Sequence, residues 1–197
     1  MKSLLFAMSV GLMMIGCGEE AKKEVVQEER KLAPISAEEE QKRQEAITER
    51  VKPLIEKKEN FLTDNKLEMI WVEPGTFTMG SPVNEANRSS DETEHNVTLT
   101  QGFYLGKYEV TQAQYEAVMT GNSSSLSATP SQWPNNPNRP VEKVSWTDIQ
   151  VFITRLNAAE KTGGRLPGGW SYILPTESQW EYACRAGTTT AYSWGNN

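Results

Sequence analysis

Every tryptophan and every tyrosine of this chain lies beyond residue 70, six of each. Large aromatic side chains carry most of the burial in a domain of this size, so the core must be built from that part of the chain. Residues 19–66 contrast sharply: they carry 11 Lys+Arg and 13 Asp+Glu, with no Trp, Tyr or Cys. Such a segment buries too little apolar surface to offset its own ordering entropy, and is expected as a solvated helix or a disordered tether. The 197 residues therefore divide near position 67 into a charged tether and stalk, 17–66, and an aromatic-rich domain, 67–197. The net charge is −6 and there is one histidine, a balance poorly suited to nucleic acid.

The first residues, "MKSLLFAMSVGLMMIGC", have Lys2 as a short positive region and an apolar run from Leu4 to Ile15. That run is too short for a comfortable bilayer span and has the length of a signal-peptide core. It ends at Gly16-Cys17, where charge begins. The arrangement resembles the lipobox of bacterial lipoproteins, with Met14 in place of the usual Leu. The resemblance implies a signal peptide over 1–16, lipidation of Cys17, and a protein of the bacterial cell envelope held to the membrane by its lipid. Acyl chains contribute about 0.8 kcal/mol per buried methylene, so more than one gives stable anchoring. Cys184 is then the one thiol left, with no disulfide partner in the sequence.

Ser36 with Glu39 predicts a capped helix running to Leu62, divided at Pro53, with Ile47, Val51, Leu54, Ile55, Phe61 and Leu62 on its apolar face. "MIWVEPGTFTMGS" predicts two short strands around a Glu73-Pro74-Gly75-Thr76 turn, and "NVTLTQGFYLGKYEVT" two more around Gln101-Gly102. Three helices are expected from their caps: Thr111 with Gln114, Ser145 with Asp148 and Thr176 with Gln179, the last two stopped by Gly163 and Gly187. A Ser/Pro/Asn-rich loop joins the first two, with Trp133 expected to pin it to the core. Trp146, Phe152, Trp180 and Tyr182 are expected to be largely buried. Short strands, three short helices and long loops make an irregular α+β domain.

Familiar catalytic sets are missing from this pattern. With one histidine, His95, neither a Ser-His-Asp triad nor a multi-histidine metal site is expected; beside Asp91, Glu92 and Glu94 it could be read as a metal cluster, but it reads better as a solvated acidic loop leading into a strand. Glu177 and Glu181 lie four apart, as an acid/base pair might. Glu177 is better placed for the helix dipole, and Glu181 for pairing with Arg185. Cys184, near Trp180 and Ala183, reads as a buried core thiol rather than an activated nucleophile.

Four stretches in order, "WVEPGTFTMGS", "HNVTLTQGFYLGKYEVTQAQYEAVM", "RPVEKVSWTDIQVFITRLN" and "LPTESQWEYACRAGT", resemble the sulfatase-modifying factor family, the formylglycine-generating enzymes and their relatives. The resemblance implies a C-type-lectin-like fold, here incomplete at the C-terminus and preceded by the charged helical stalk. It implies enzymes that use copper on a cysteine pair, with calcium in nearby loops, to oxidise a sulfatase cysteine to formylglycine. Those positions lie further along the family domain, so no catalytic or metal-binding residue is carried over, and Cys184 matches a framework position. Ile173 before Leu174, with "RLPGGW" upstream, departs from the family's Arg-Leu-Pro-Thr-Glu. The implied partner is a sulfatase polypeptide or another envelope protein. A non-catalytic lectin-like module displayed on the envelope is the alternative.

Overall fold

A computed structural model of the chain describes residues 12–16, 36, 38, 42, 61–62, 67–163, 165–166 and 169–195. Its main sheet has five strands. They are β1 (Met13–Gly16), β2 (Phe61–Leu62), β3 (Glu68–Val72), β6 (Phe103–Gly106) and β7 (Trp170–Ile173). Their spatial order is β2-β3-β6-β1-β7, and every neighbouring pair is antiparallel. A separate antiparallel pair is formed by β4 (Gly75–Met79) and β5 (His95–Leu99). Among the described residues, three helices have both ends defined: α1 (Gln112–Met119), α2 (Trp146–Thr162) and α3 (Glu177–Arg185).

The helix starts fall where the caps place them. Thr111, Ser145 and Thr176 each accept from the backbone three residues on, and Gln114, Asp148 and Gln179 each return a side-chain bond. These reciprocal bonds satisfy N–H groups that a helix cannot pair internally. α1 and α2 then pack through stacked rings of Tyr115 and Phe152, 5.2 Å apart. Arg155 of α2 donates to the carbonyls of Val118 and Thr120, at 2.9 and 3.0 Å, and so closes the C-terminal end of α1. α2 also holds the sheet. The Asn157 amide donates to the Tyr172 carbonyl at 2.9 Å and accepts from its N–H at 2.8 Å. That pairing satisfies the outer edge of β7, which would otherwise be an open template.

The core lies between these helices and the main sheet, around Tyr104, Tyr115, Phe152, Leu156 and Tyr172. Tyr104 sits between Trp71 and Trp170, with ring centroids at 5.0 and 5.9 Å. Burial pushes the Tyr115 phenol up to about 12, with the Asp148 carboxylate adding to it.

Several expectations change. β3 and β4 do not pair with each other. Pro74-Gly75 carries the chain from one sheet to the other, and Gly75 lies against the Tyr182 hydroxyl where a β-carbon would not fit. Phe61–Leu62 pairs with β3 instead of ending a stalk helix. Glu38 and Lys42 are helical and form an exposed ion pair at 4.0 Å, while Pro53 and nearly all of the expected stalk lie outside the described residues. The end of the apolar leader run forms β1, the strand between β6 and β7, with Leu12, Met13 and Met14 at most 1% exposed. A short apolar run buried on both faces has the same pattern in a central strand as in a leader core. Cys17 and the preceding leader residues 1–11 lie outside the described residues. Among the described residues no helix is long and apolar enough to cross a membrane.

Phe152 is buried as expected, but Trp133, Trp146 and Trp180 are 60%, 61% and 37% exposed. Trp146 is the first residue of α2, and a helical side chain leans toward the N-terminus, so it overhangs the end of the packed stripe. Trp133 holds its loop through its backbone carbonyl, which accepts from Gln112 Nε2 at 3.2 Å. Phe152→Ala should therefore cost about 3–5 kcal/mol in urea unfolding, and Trp180→Ala clearly less. The raised Tyr115 pKa means that its contribution to stability is complete below pH 10 and falls as pH rises from 10 toward 12. Thermal melts of Tyr115→Phe should show a shallower loss over that window than the unmodified chain.

Candidate functional site

A connected polar cluster joins α3 to the β4–β5 pair. Gln179 and Thr176 set the start of α3, and Glu177 occupies its first turn, where an anion complements the helix dipole. Ser178, Glu181, Tyr182 and Arg185 then reach the β4 side. The Ser178 hydroxyl contacts Met79 Sδ at 3.3 Å, and the Tyr182 and Phe77 rings lie 5.3 Å apart. Glu181 is 2% exposed. Its Oε1 accepts from Gly80 N at 2.9 Å and Arg185 Nε at 2.8 Å, while Arg185 donates to the Gly80 carbonyl at 2.6 Å. Glu181 Oε2 is buried without a hydrogen-bond partner among the described residues. The expected Glu181–Arg185 pair is present. It acts as a buried clamp on a backbone turn, and Glu177 stays exposed, so the two carboxylates do not form an acid/base site.

Gly80 is the residue that sequence reasoning passed over. Its φ is +98°, and a β-carbon there would meet the Thr93 carbonyl oxygen at 2.8 Å. The signal was a glycine at the end of a strand pattern, which marks a left-handed or closely approached backbone. From this turn the 81–94 loop folds back on itself. The Ser81 hydroxyl donates to Glu92 Oε2 at 2.6 Å, and Arg88 donates to Ser81 Oγ at 3.3 Å and to the Glu92 carbonyl at 3.0 Å. Glu92 is thus spent on the loop, and Asp91, Glu94 and His95 are exposed.

Beside this loop lies a cleft of about 380 Å³ lined by Pro82, Asn84, Glu85, Ala86, Thr189, Ala191 and Tyr192. Tyr192 stacks on the exposed Trp194 at 5.0 Å and 12°. Backbone bonds between Tyr192 and Gly195 hold this turn in place. One carboxylate, hydroxyl and amide groups and an aromatic wall can bind a polar chain. They include no nucleophile beside a base.

Cys184 is exposed, which corrects the expectation of a core thiol. The reason is the docking of α3: Glu181 and Arg185 take the buried face, leaving Trp180 and Cys184, four residues apart, on the outer side. Burial raises the Cys184 thiol above its ordinary range, with Arg185 opposing and Glu181 adding to the rise. A copper site needs closely spaced thiolates, and the single cysteine among the described residues does not fit it. Nor is there, among the described residues, a group of three or more His, Cys, Asp or Glu placed to hold a metal ion. No chemical step through copper or calcium follows from these residues.

Three outcomes test this description. Glu181→Gln should destabilise the fold by on the order of 3 kcal/mol, because it strips the charge partner from Arg185. Gly80→Ala should cost about 1–3 kcal/mol through backbone strain. Both are read from urea midpoints. In the native state at pH 7, Cys184 should react with iodoacetamide more slowly than a free thiol, with its rate rising only at alkaline pH. A rate above that of the free thiol would contradict the raised pKa.

The sulfatase-modifying factor enzyme 1-like domain family matches residues 52–197. The chain is similar to the chaperone protein LppX of Paenibacillus barcinonensis, 29% identical over 158 residues, covering 66% of this chain and 50% of that protein. It is also similar to the formylglycine-generating enzyme of Mus musculus, 26% identical over 174 residues, covering 66% of this chain and 43% of that protein. Among solved structures it resembles PvdO from Pseudomonas aeruginosa, with a TM-score of 0.58 and 24% identity over 68% of this chain and 54% of that one. That likeness is one of fold. The chain spans about half the length of the curated relatives it matches.

Proposed function

This chain belongs to the sulfatase-modifying factor enzyme 1-like domain family, and from that membership we propose that it forms part of an envelope-anchored protein that oxidises a sulfatase cysteine to formylglycine. The family match over 52–197 carries the reading, and relatives named formylglycine-generating enzyme support it. In this reading residues 67–195 supply a scaffold of the C-type-lectin-like kind. The Glu181–Arg185 clamp fixes α3 against the β4–β5 pair, and the cleft at Tyr192 offers a polar, aromatic-walled place for an extended sulfatase segment. Copper and calcium belong to the proposal for the full family domain, not to the donor set described above. The anchor in this proposal is Cys17, after removal of the 1–16 leader, on the bacterial cell envelope; β1 (Met13–Gly16) lies within that leader, so the five-stranded sheet described above is that of the uncleaved chain.

A binding module without catalysis is the second reading. It is favoured by the relative named chaperone protein LppX and by the exposed Tyr192–Trp194 stack beside the cleft. One assay separates the two. A peptide carrying Cys-x-Pro-x-Arg is incubated with copper, oxygen and either this chain or a version extended to the length of its relatives, and the cysteine is followed by mass spectrometry. The oxidase reading expects aldehyde with the extended protein and unchanged thiol with this chain. Unchanged thiol with both leaves the binding module. For the anchor, labelled palmitate should enter the chain in a bacterial host and be lost in Cys17→Ser, and equal labelling of both would refute lipidation.

A further inference from the structure

We infer that β1 is an exchangeable strand, and that the slot it fills between β6 and β7 is an acceptance site for an extended apolar segment of another polypeptide. The sheet order requires the slot. β6 and β7 are each antiparallel to β1 and their backbones are linked within the sheet through it, while the Tyr104 and Trp170 rings touch across it at 5.9 Å. Removing β1 exposes two unpaired strand edges at once, facing each other across one strand's width. Buried backbone N–H and C=O groups must be paired, so the slot selects for an extended chain.

The lining sets the chemistry of the occupant. Met14 lies in register with both Tyr104 and Tyr172, and all three are at most 1% exposed. Met13 is in register with Leu105 and Ile173, and the Leu12 carbonyl accepts from Gly106 N at 2.8 Å. Charged residues at 12–14 would have to be desolvated here, so the occupant must be apolar. Methionine fills irregular space with a flexible side chain, so a seat that Met13 and Met14 fill demands no single side-chain shape.

The connection of β1 to the domain makes exchange accessible. Residues 17–60 separate it from β2, the next strand among the described residues. The pairing of β1 with β6 and β7 is therefore a long-range contact, and a free peptide of the same apolar pattern competes for it directly. The same residues end the leader-like run before Cys17, and a cut there removes the whole of β1. The inference stands on the sheet register. It is read by peptide binding, so it and the oxidase reading can fail separately.

The test uses the full chain and a fluorescein-labelled peptide, Lys-Lys-Leu-Met-Met-Ile-Gly-Lys-Lys, followed by anisotropy. Met14→Asp weakens the resident strand without touching β6 or β7. It should bind the peptide about tenfold or more tighter than the unmodified chain, because the intramolecular competitor is weakened. A control peptide with both methionines replaced by aspartate should not bind. A second variant serves if Met14→Asp fails to fold. Tyr172 turns its N–H and C=O to Asn157, so its neighbour Ser171 is hydrogen-bonded to Ile15, at a Cα spacing of about 5.5 Å that a disulfide spans. Ile15→Cys with Ser171→Cys, in a Cys17→Ser, Cys184→Ser background, should close the slot when oxidised and open it when reduced. Peptide binding only in the reduced form supports the inference. It is overturned by equal binding in both redox states, by binding of the aspartate control, by no gain in a folded Met14→Asp, or by a disulfide that forms between copies. The last result would mark the site as one for strand exchange within a dimer.

Discussion

The main sheet depends on the backbone pairing of one four-residue strand. β1 stands between β6 and β7, and without it the sheet is two pieces, β2-β3-β6 on one side and β7 on the other. The helices follow from that continuity. α2 reaches β7 through Asn157 and reaches α1 through Phe152 and Arg155, so the position of β7 relative to β6 sets how the helix pair covers Tyr104. A buried central strand contributes hydrogen bonds on both edges and apolar surface on both faces. Few other segments of four residues could hold as much of a small domain in register.

The second constraint is a charge placed where charge is expensive. Glu181 is buried on α3, and its partners are a guanidinium one turn away and the backbone of a turn a hundred residues earlier. Arg185 completes the arrangement by donating to the carbonyl of the same Gly80 whose N–H Glu181 accepts. The carboxylate thus recognises one particular turn of backbone, and apolar contact alone would not distinguish it from another. Replacing such a network by apolar residues can be neutral in energy, so its value here is in fixing where α3 meets the β4–β5 pair. That junction also sets the outward face carrying Trp180 and Cys184. It further positions the stretch that leads on to the cleft at Tyr192.

Much of the local structure was legible in the chain. Ser and Thr before Gln or Asp, three residues apart, located the helix starts, because a capping box involves only neighbours. The four ordered stretches that resemble the sulfatase-modifying factor family also agree with the family found for residues 52–197. The clamp was half legible. Glu181 and Arg185 are one turn apart on a helix and could be paired on paper, whereas their common partner Gly80 lies far off in sequence and could not.

By itself, the sequence determined the family, through four ordered stretches, and the helix caps and the Glu181–Arg185 pair, which rest on contacts within a few residues. Only the tertiary structure decided which apolar residues are covered. Trp146 and Trp180 have the chemistry of core residues, yet one overhangs a helix end and the other lies opposite a docked face. Hydrophobicity favours burial without specifying what will be there to bury against. The same holds for Leu12–Met14, whose apolar run fits a leader core and a central strand equally well in one dimension. Its place became a matter of geometry once β6 and β7 stood a strand's width apart with their hydrogen bonds facing each other.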